Sequence, residues 1–373
     1  MNILMHCVYF PPEVGGLESH VRYLCRSLVG RGHRVDVVTS LSQPGLPPHQ
    51  VIDGISVWRT WLPGRNTLGW ATYAVCSTPK LAALSREADV LHAQDIASVL
   101  PCIIAKQGRG TPIVTTYHTS HFLRRAKSRF WRPIFRCFLR VADHNLAASA
   151  EIAAVGKDIA PTVKVEALTN GVDTSFFRRV DPTLPRLREE RYRLIVPRRL
   201  FSKNGVEYFV RALPMISAVV DVEAIVIGDG PERATLESLA GELGVTDRLT
   251  FMGTSPHDEM PGLLSSSDLA IFPSLMEATS IAALESMACE VPVAASRVGG
   301  LPEILNHEVG ALFEPADSKS LARTVIELLQ GGQLRALGVE ARKRVVERWS
   351  NERLTDRHLE IYEALVARRH AVA

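Results

Sequence analysis

The chain lacks the features that would place it among membrane, secreted or metal-binding proteins. No window approaches the ~18 uninterrupted apolar residues of a membrane-spanning helix. The first residues have no basic region and reach Pro11 after a short apolar run, which argues against a secretory signal peptide. The six cysteines contain no C-x-x-C pair and mostly lie in apolar runs. We therefore expect reduced, buried thiols in a cytoplasmic protein.

The chain as a whole has little net charge, but one long segment lacks acidic residues. The net charge of +3 over 373 residues gives no argument for a nucleic-acid partner. Acidic residues are absent from Ile96 to Ala142, while seven Lys and Arg residues interleave with bulky apolar ones between Phe122 and Arg140. Such a pattern suits peripheral contact with an anionic membrane, so residues 122–140 are a candidate membrane contact. The alternative is a helix that faces the core, keeps a solvated basic face and breaks near Pro133.

The length and the first elements predict an α/β protein of two domains. A chain of 373 residues exceeds one ordinary hydrophobic core. Asn2 to Tyr9 is a continuous apolar run typical of a buried strand, and Gly15-Gly16 lead from it into an amphipathic helix and a second strand, Val35 to Thr39. This order implies parallel strands. Adjacent glycines let a ligand approach the helix N-terminus, although the turn could be purely structural.

The most informative stretch lies between Pro273 and Leu305. Glu277 and Glu285 are separated by seven residues, and a helix begins between them by its apolar spacing. Glu285 is predicted about two turns into the helix. Free backbone N–H groups at a helix N-terminus favour an anion, and carboxylates accept hydrogen bonds from hydroxyls, so this stretch suits a ligand with phosphate and sugar groups. The N-terminal positions of the predicted helix are Ala278, Thr279, Ser280 and Ile281.

Two strand ends deliver further candidates. Ile113 to Thr116 is an apolar strand followed by Tyr117-His118, and ligands of open parallel sheets bind beyond the carboxyl ends of strands. The strand Tyr192 to Pro197 leads into a basic loop that ends at Gly205. Cations in such a loop can neutralise a diphosphate, although solvated loop charges are the plain alternative.

These segments resemble the nucleotide-sugar glycosyltransferases of family 4, which have the GT-B fold and an E-x7-E signature. The flanks match as well, with Pro273-Ser274, Met287-Ala288 and the run Val298 to Glu303 (VGGLPE). The family's N-terminal glycine loop is matched here by Gly15-Gly16, and its R-L-x-x-x-K-G loop is matched by the loop from Arg199 to Gly205. One departure is that Ala278-Thr279-Ser280 stand where the family commonly has glycines, which bears on the identity of the donor sugar.

The resemblance implies roles for single residues. His118 would lie near the reacting sugar carbon, Arg199 and Lys203 would hold the donor diphosphate, Glu277 would bind the sugar and Glu285 the ribose. Lys203 stands one place before the usual lysine, which here is Asn204. Gly15 and Gly16 would touch the donor phosphate and the acceptor, and Ala278 to Ile281 would meet the donor through their backbone.

The resemblance also implies the architecture and the reaction. It predicts two Rossmann-like, doubly wound α/β domains facing a cleft: an acceptor domain (1–180), a nucleotide-sugar domain (181–345) and a last helix (346–373) that crosses back. The reaction would move a sugar from a UDP- or GDP-sugar to the hydroxyl of an acceptor such as a lipid-linked or polysaccharide precursor, with retention by front-face attack. No D-x-D motif occurs, so no metal and no cofactor are expected.

Two other functions fit the same residues. A nucleotide-sugar epimerase of the same fold would need no acceptor. A sugar-nucleotide-binding protein without turnover is suggested by the altered residues after Glu277 and around Lys203.

Overall fold

The chain divides into two α/β units, which are described in turn. The first comprises Met1–Asn170 and Asn351–Ala373, and the second comprises Gly171–Ser350. The computed structural model describes all residues except Val14, 107–109, Thr119, Asn170, 186–189, 278–279 and Ala373.

The first unit is built on an eight-stranded sheet. Its strands are β1 (Asn2–His6), β2 (Arg34–Leu41), β3 (His49–Ile52), β4 (Ile55–Trp61), β5 (Val90–Gln94), β6 (Ile113–Tyr117), β7 (His144–Ala147) and β8 (Val165–Ala167). Its helices are α1 (Gly16–Gly30), α2 (Thr67–Leu84), α3 (Ile96–Lys106), α4 (Ser120–Ala126), α5 (Trp131–Val141), α6 (Ala150–Ile159) and, last in the chain, α14 (Asn351–Val372).

The strand order of the first sheet is β3-β4-β2-β1-β5-β6-β7-β8. All neighbours pair in parallel except β3 and β4, which form a hairpin with Asp53 and Gly54 at positive φ. The central strands β1, β5 and β6 are buried on both faces, and β5 and β6 bury polar residues such as His92, Gln94 and Thr115 along with apolar ones. The C-terminal helix belongs to this unit, because Ile361, Tyr362 and Leu365 pack in the same core as β1 and α1.

The second unit contains a six-stranded parallel sheet in the order β11-β10-β9-β12-β13-β14. Its strands are β9 (Tyr192–Pro197), β10 (Val222–Ile227), β11 (Leu249–Gly253), β12 (Leu269–Phe272), β13 (Val293–Ser296) and β14 (Gly310–Phe313). Its helices are α7 (Val206–Ser217), α8 (Arg233–Glu242), α9 (Met260–Ser265), α10 (Ile281–Ala288), α11 (Leu301–Ile304), α12 (Ser318–Gln330) and α13 (Leu334–Trp349). The predicted class, two Rossmann-like α/β domains, is confirmed.

The unit boundaries differ from the predicted ones by five to ten residues, at 170/171 and 350/351. The segment after Asn170 joins the second unit because the Val172 N–H donates to the carbonyl of Trp349, at 2.8 Å. Arg342 of α13 donates to the carbonyls of Thr174 and Phe177 at 3.2 and 3.1 Å. Backbone hydrogen bonds of this kind leave no signal in hydrophobic periodicity.

The basic, aromatic segment forms two helices rather than one helix broken at its proline. The interruption falls between Ala126 and Trp131, and Pro133 lies in the first turn of α5. A proline is tolerated there because the first N–H groups of a helix have no partner within the helix. None of the helices in the described ranges combines the length and the hydropathy needed to cross a bilayer.

Candidate functional site

The candidate site of the second unit lies at the carboxyl ends of β9 and β12. From β9 the chain proceeds to β10 and β11 on one side of the sheet, and from β12 it proceeds to β13 and β14 on the other. The crevice between two such strands is where open α/β sheets bind ligands. The loop Arg198–Gly205 follows β9, and the loop Pro273–Ser280 follows β12.

Backbone contacts lock these two loops together. The carbonyl of Lys203 accepts hydrogen bonds from the N–H groups of Leu275, at 2.8 Å, and Met276, at 3.3 Å. Gly205 has φ of +63°, and a Cβ atom at this residue would lie 2.0 Å from the carbonyl oxygen of Pro273. A side chain at Gly205 would therefore push the loops apart. The backbones of the two loops are therefore held close together.

Glu277 pairs with Arg198 across the two loops. The Arg198 guanidinium donates to the Glu277 carboxylate and to the Ser274 hydroxyl, and it reaches Asn204 Oδ1 at 3.3 Å. The two charged side chains are 11% and 15% exposed. The guanidinium carbon also lies 5.6 Å from the centre of the Phe272 ring. Positive charge is thus fixed beside a carboxylate at the end of β12.

Arg199 and Lys203, the two cations expected from the sequence, face outward. Arg199 is exposed and lies 5.7 Å from the centre of the Phe201 ring, and Lys203 is exposed on a 3-10 turn. Asn204 is buried, and its amide donates to the carbonyl of Arg199 at 2.6 Å. The residue at the usual lysine position therefore braces the loop. Arg199 and Lys203 stay predictions for phosphate binding.

Gly299 fixes the backbone of Glu277. It has φ of +53°, and a Cβ atom at this residue would lie 1.6 Å from the carbonyl oxygen of Glu277. Only glycine allows this approach. The VGGLPE segment, whose sequence gave no chemical role, thus positions the first acid of the E-x7-E stretch.

The second acid is carried by the helix α10. Ser280 is its N-cap, with a hydroxyl that accepts from the Ala283 N–H at 3.4 Å, so Ile281 is the first helical residue. Glu285 is then the fifth residue, closer to the N-terminus than the two turns predicted. Ala278 and Thr279, both predicted to contact substrate, lie outside the described residues.

Burial raises the pKa of the Glu285 carboxyl from its ordinary value of 4.5 to about 7. Among the described residues nothing donates a hydrogen bond to this carboxylate. The side chain of Glu285 is only partly buried and stays open to a ligand, whose hydroxyls would supply hydrogen bonds to the carboxylate. The described residues include no group of three His, Cys, Asp or Glu side chains that could hold a metal ion.

In the first unit, His118 stands directly after β6 and is 6% exposed. Its Nε2 atom lies 2.7 Å from Gln94 Oε1, and its ring centre is 4.7 Å from that of His20. Gly15 is the extended residue before α1, and Gly16 begins the helix. The strand-end histidine and the glycine loop therefore belong to the first unit, whereas both glutamates and the basic loop belong to the second.

Two family models cover most of the chain. The model described as glycosyltransferase family 4 matches residues 14–176, and the model described as glycosyl transferases group 1 matches residues 181–347. The chain belongs to the family 4 glycosyltransferases of the GT-B type.

Relatives and solved structures agree with this membership. The N-acetyl-alpha-D-glucosaminyl L-malate synthase of Bacillus anthracis is 28% identical over 365 residues, covering 94% of each chain. The sucrose-phosphate synthase structure from Thermosynechococcus elongatus superposes with a TM-score of 0.84 at 22% identity, covering 98% of this chain and 99% of that one. An Anabaena protein solved with UDP and glucose gives 0.77 at 20% identity, covering 98% and 100%.

Sequence reasoning on this glycosyltransferase missed Arg198, Asn204 and Gln94. Arg198 had a usable signal, because it stands five residues before Lys203, as the arginine of the R-L-x-x-x-K-G loop stands before its lysine. The Arg-Leu pair pointed to Arg199 instead. Gln94 had no signal, since a polar residue at a strand end has many structural uses.

Proposed function

We propose that this glycosyltransferase moves a hexose from a UDP-sugar, or alternatively a GDP-sugar, to an acceptor hydroxyl with retention of configuration and without a metal ion. The observation that carries the proposal is the Arg198–Glu277 pair at the switch point of the second sheet, close in sequence to the N-terminus of α10. The Anabaena structure with UDP supports the choice of nucleotide.

Each group has a task in this reaction. The bond between the sugar C1 and the diphosphate oxygen breaks, and a bond from C1 to the acceptor oxygen forms on the same face. The departing phosphate oxygen takes the acceptor proton. Arg198, with Lys203 and Arg199 as further cations, stabilises the charge on the diphosphate. Glu277 binds sugar hydroxyls, Glu285 binds the ribose, and His118 contacts the sugar.

A nucleotide screen tests the proposal. We expect UDP or GDP at a hundredfold excess over Kd to add about 2.7 kcal/mol of stability. For a unit of this size that is roughly 5–10 °C in melting temperature. Transfer to an acceptor should then persist in EDTA.

Each alternative outcome has a clear meaning. Melting temperatures that no nucleotide changes would overturn the proposal. Conversion of the donor into its epimer without an acceptor would indicate an epimerase, and tight nucleotide binding with no transfer to any acceptor would indicate a binding protein. A requirement for Mg²⁺ or Mn²⁺ would contradict metal independence alone.

We further propose that the acceptor is presented at an anionic membrane surface. The helices α2, α3, α4 and α5 contain no Asp or Glu. Leu68 and Val75, two turns apart on α2, are 77% and 72% exposed. Leu100 and Ile104, one turn apart on α3, are also exposed, and α3 packs along α2.

The basic helices adjoin this apolar surface. Arg125 of α4 donates to the Thr67 hydroxyl at 3.1 Å, and its guanidinium carbon is 4.9 Å from the centre of the Trp131 ring. Lys127, Arg129 and Phe130 are exposed between α4 and α5. Exposed apolar side chains beside exposed cations match a bilayer that contains anionic lipid.

Flotation with vesicles measures this contact. We expect binding to phosphatidylglycerol-containing vesicles at low salt and little binding to pure phosphatidylcholine. A Lys127→Glu, Arg129→Glu double variant should lower the partition coefficient at least ~30-fold, since each cation contributes about 1 kcal/mol. Leu68→Ser with Val75→Ser should also weaken binding, whereas Val219→Ser, an exposed position of the second unit, should not. Wild-type protein that stays unbound at low salt would refute the contact.

A further inference from the structure

The buried polar groups around His118 define which of its ring nitrogens carries a proton. Gln94 ends β5, is 1% exposed and places its Oε1 atom 2.7 Å from Nε2 of His118. A carbonyl oxygen can only accept a hydrogen bond. Nε2 of His118 must therefore be the protonated nitrogen of this pair.

The other half of the Gln94 amide fixes its orientation. The amide nitrogen lies 3.6 Å from the thioether sulfur of Met5 and 3.4 Å from each ring nitrogen of His92. Sulfur is an acceptor, so the NH2 group suits this side. The reversed amide would set its oxygen against the sulfur and point an N–H at His118.

His92 is itself held in place. Its Nδ1 lies 2.6 Å from the hydroxyl of Tyr362 on α14, and its Nε2 lies 2.7 Å from the hydroxyl of Thr116 on β6. All three side chains are buried. A chain of buried contacts from α14 through His92 thus keeps the Gln94 amide in one position.

We propose that Gln94 is a positioning residue that holds His118 as the neutral tautomer with its proton on Nε2, so that Nδ1 accepts a hydrogen bond from a substrate sugar hydroxyl. The proposal rests on the sugar contact of His118 in the proposed function. It makes His118 an acceptor toward the sugar and not a proton donor. No proton is transferred in this contact.

The surroundings favour the neutral ring. The imidazoles of His20 on α1, His92 on β5 and His358 on α14 face the cluster, and burial lowers the pKa of each below its ordinary value. Tyr362 is held neutral by burial, which raises its pKa. The acids close in sequence to these imidazoles include Glu18 on α1, Asp95 directly after Gln94, and Asp356 and Glu360 on α14.

The tautomer can be measured without any substrate. Long-range 1H–15N spectra of the full chain labelled at histidine, with His118 assigned from a His118→Asn variant, should show the proton on Nε2. In Gln94→Met, which removes the carbonyl, we expect a mixture of tautomers. In Gln94→Glu the new carboxylate should stabilise the doubly protonated ring.

Kinetics then link the tautomer to the sugar. Gln94→Glu should lower kcat/KM about 30- to 100-fold at pH 7 because its His118 can only donate, with recovery at higher pH as the ring loses a proton. Gln94→Met should lose about tenfold at every pH. The Kd of the free nucleoside diphosphate, which has no hexose, should change less than about twofold in both.

Thr115→Val is the matched control. Thr115 lies on β6, the strand that His118 follows, and its replacement removes a buried hydrogen bond of 2.8 Å to Asn145 on β7. It should lower the melting temperature and leave the tautomer and the pH profile unchanged. A proton on Nδ1 in the wild type, or an unchanged tautomer in Gln94→Met, overturns the inference. An Nε2 proton in a protein that transfers no sugar would instead refute the proposed function and leave the tautomer assignment intact.

Discussion

Replacing Glu285 by glutamine is expected to stabilise the ligand-free protein at pH 8 while it removes most of the affinity for the donor nucleotide. Burial raises the pKa of this carboxyl to about 7, so the folded state resists ionisation. The penalty is absent below the ordinary pKa of 4.5, grows as the pH rises and is complete above about pH 7. The variant should gain about 1–3 kcal/mol at pH 8, or several degrees, and nothing at pH 4.

The same substitution should lower kcat/KM for the donor about a hundredfold or more. An ionised carboxylate that accepts two ribose hydroxyls gains about 1.5–3 kcal/mol from each bond, and an amide gains less. For the wild type we expect nucleotide affinity to rise about tenfold between pH 6 and pH 8, with a flat profile in the variant. Calorimetric titration at both pH values measures this.

Glu327→Gln is the control for Glu285, because Glu327 is an exposed acid on α12 of the same unit. Its melting temperature should follow the wild type at every pH. If Glu285→Gln leaves the nucleotide affinity unchanged, Glu285 does not bind the ribose. Equal melting temperatures of this variant and the wild type at pH 8 would show that Glu285 is solvated.

Replacing Arg198 by alanine is expected to cost more activity than any other single change in the basic loop. We expect kcat/KM to fall about 10²- to 10³-fold, as it does when one preorganised donor to a developing anion is removed. Arg198→Lys should recover only part of the loss, since an ammonium group does not have the geometry of the planar guanidinium, whose Nη2 atom donates to Glu277, Ser274 and Asn204. Steady-state kinetics with the donor varied, together with melting temperatures, separate lost catalysis from lost folding.

Arg199→Ala is the natural comparison, because the two arginines are adjacent and only Arg198 contacts Glu277. We expect Arg199→Ala to lower kcat/KM less than Arg198→Ala does, because Arg199 is exposed to solvent and is only an additional cation for the diphosphate. The reverse order, with Arg199→Ala the more damaging, would uphold the assignment by resemblance. It would mean that the pairing of Arg198 with Glu277 does not persist in the donor complex.

The sequence alone determined the two α/β units and the stretch that carries the two acids. Continuous apolar runs predict strands buried on both faces, and their alternation with amphipathic helices predicts parallel sheets. These signals are local in the sequence, so they can be recognised without knowledge of the fold. Glu277, Glu285 and His118 could be singled out because each stands near a strand end or a helix start within motifs that resemble those of the family.

Only the tertiary structure decided which side chains act together. Arg198 and Arg199 are neighbours with the same chemistry, but successive residues at a strand end point in opposite directions, and that difference puts one guanidinium on Glu277 and the other in solvent. The pKa of Glu285 and the contact of Gln94 with His118 depend on burial by residues distant in sequence. Burial and long-range hydrogen bonds arise from packing, and a single sequence carries no local pattern that encodes them.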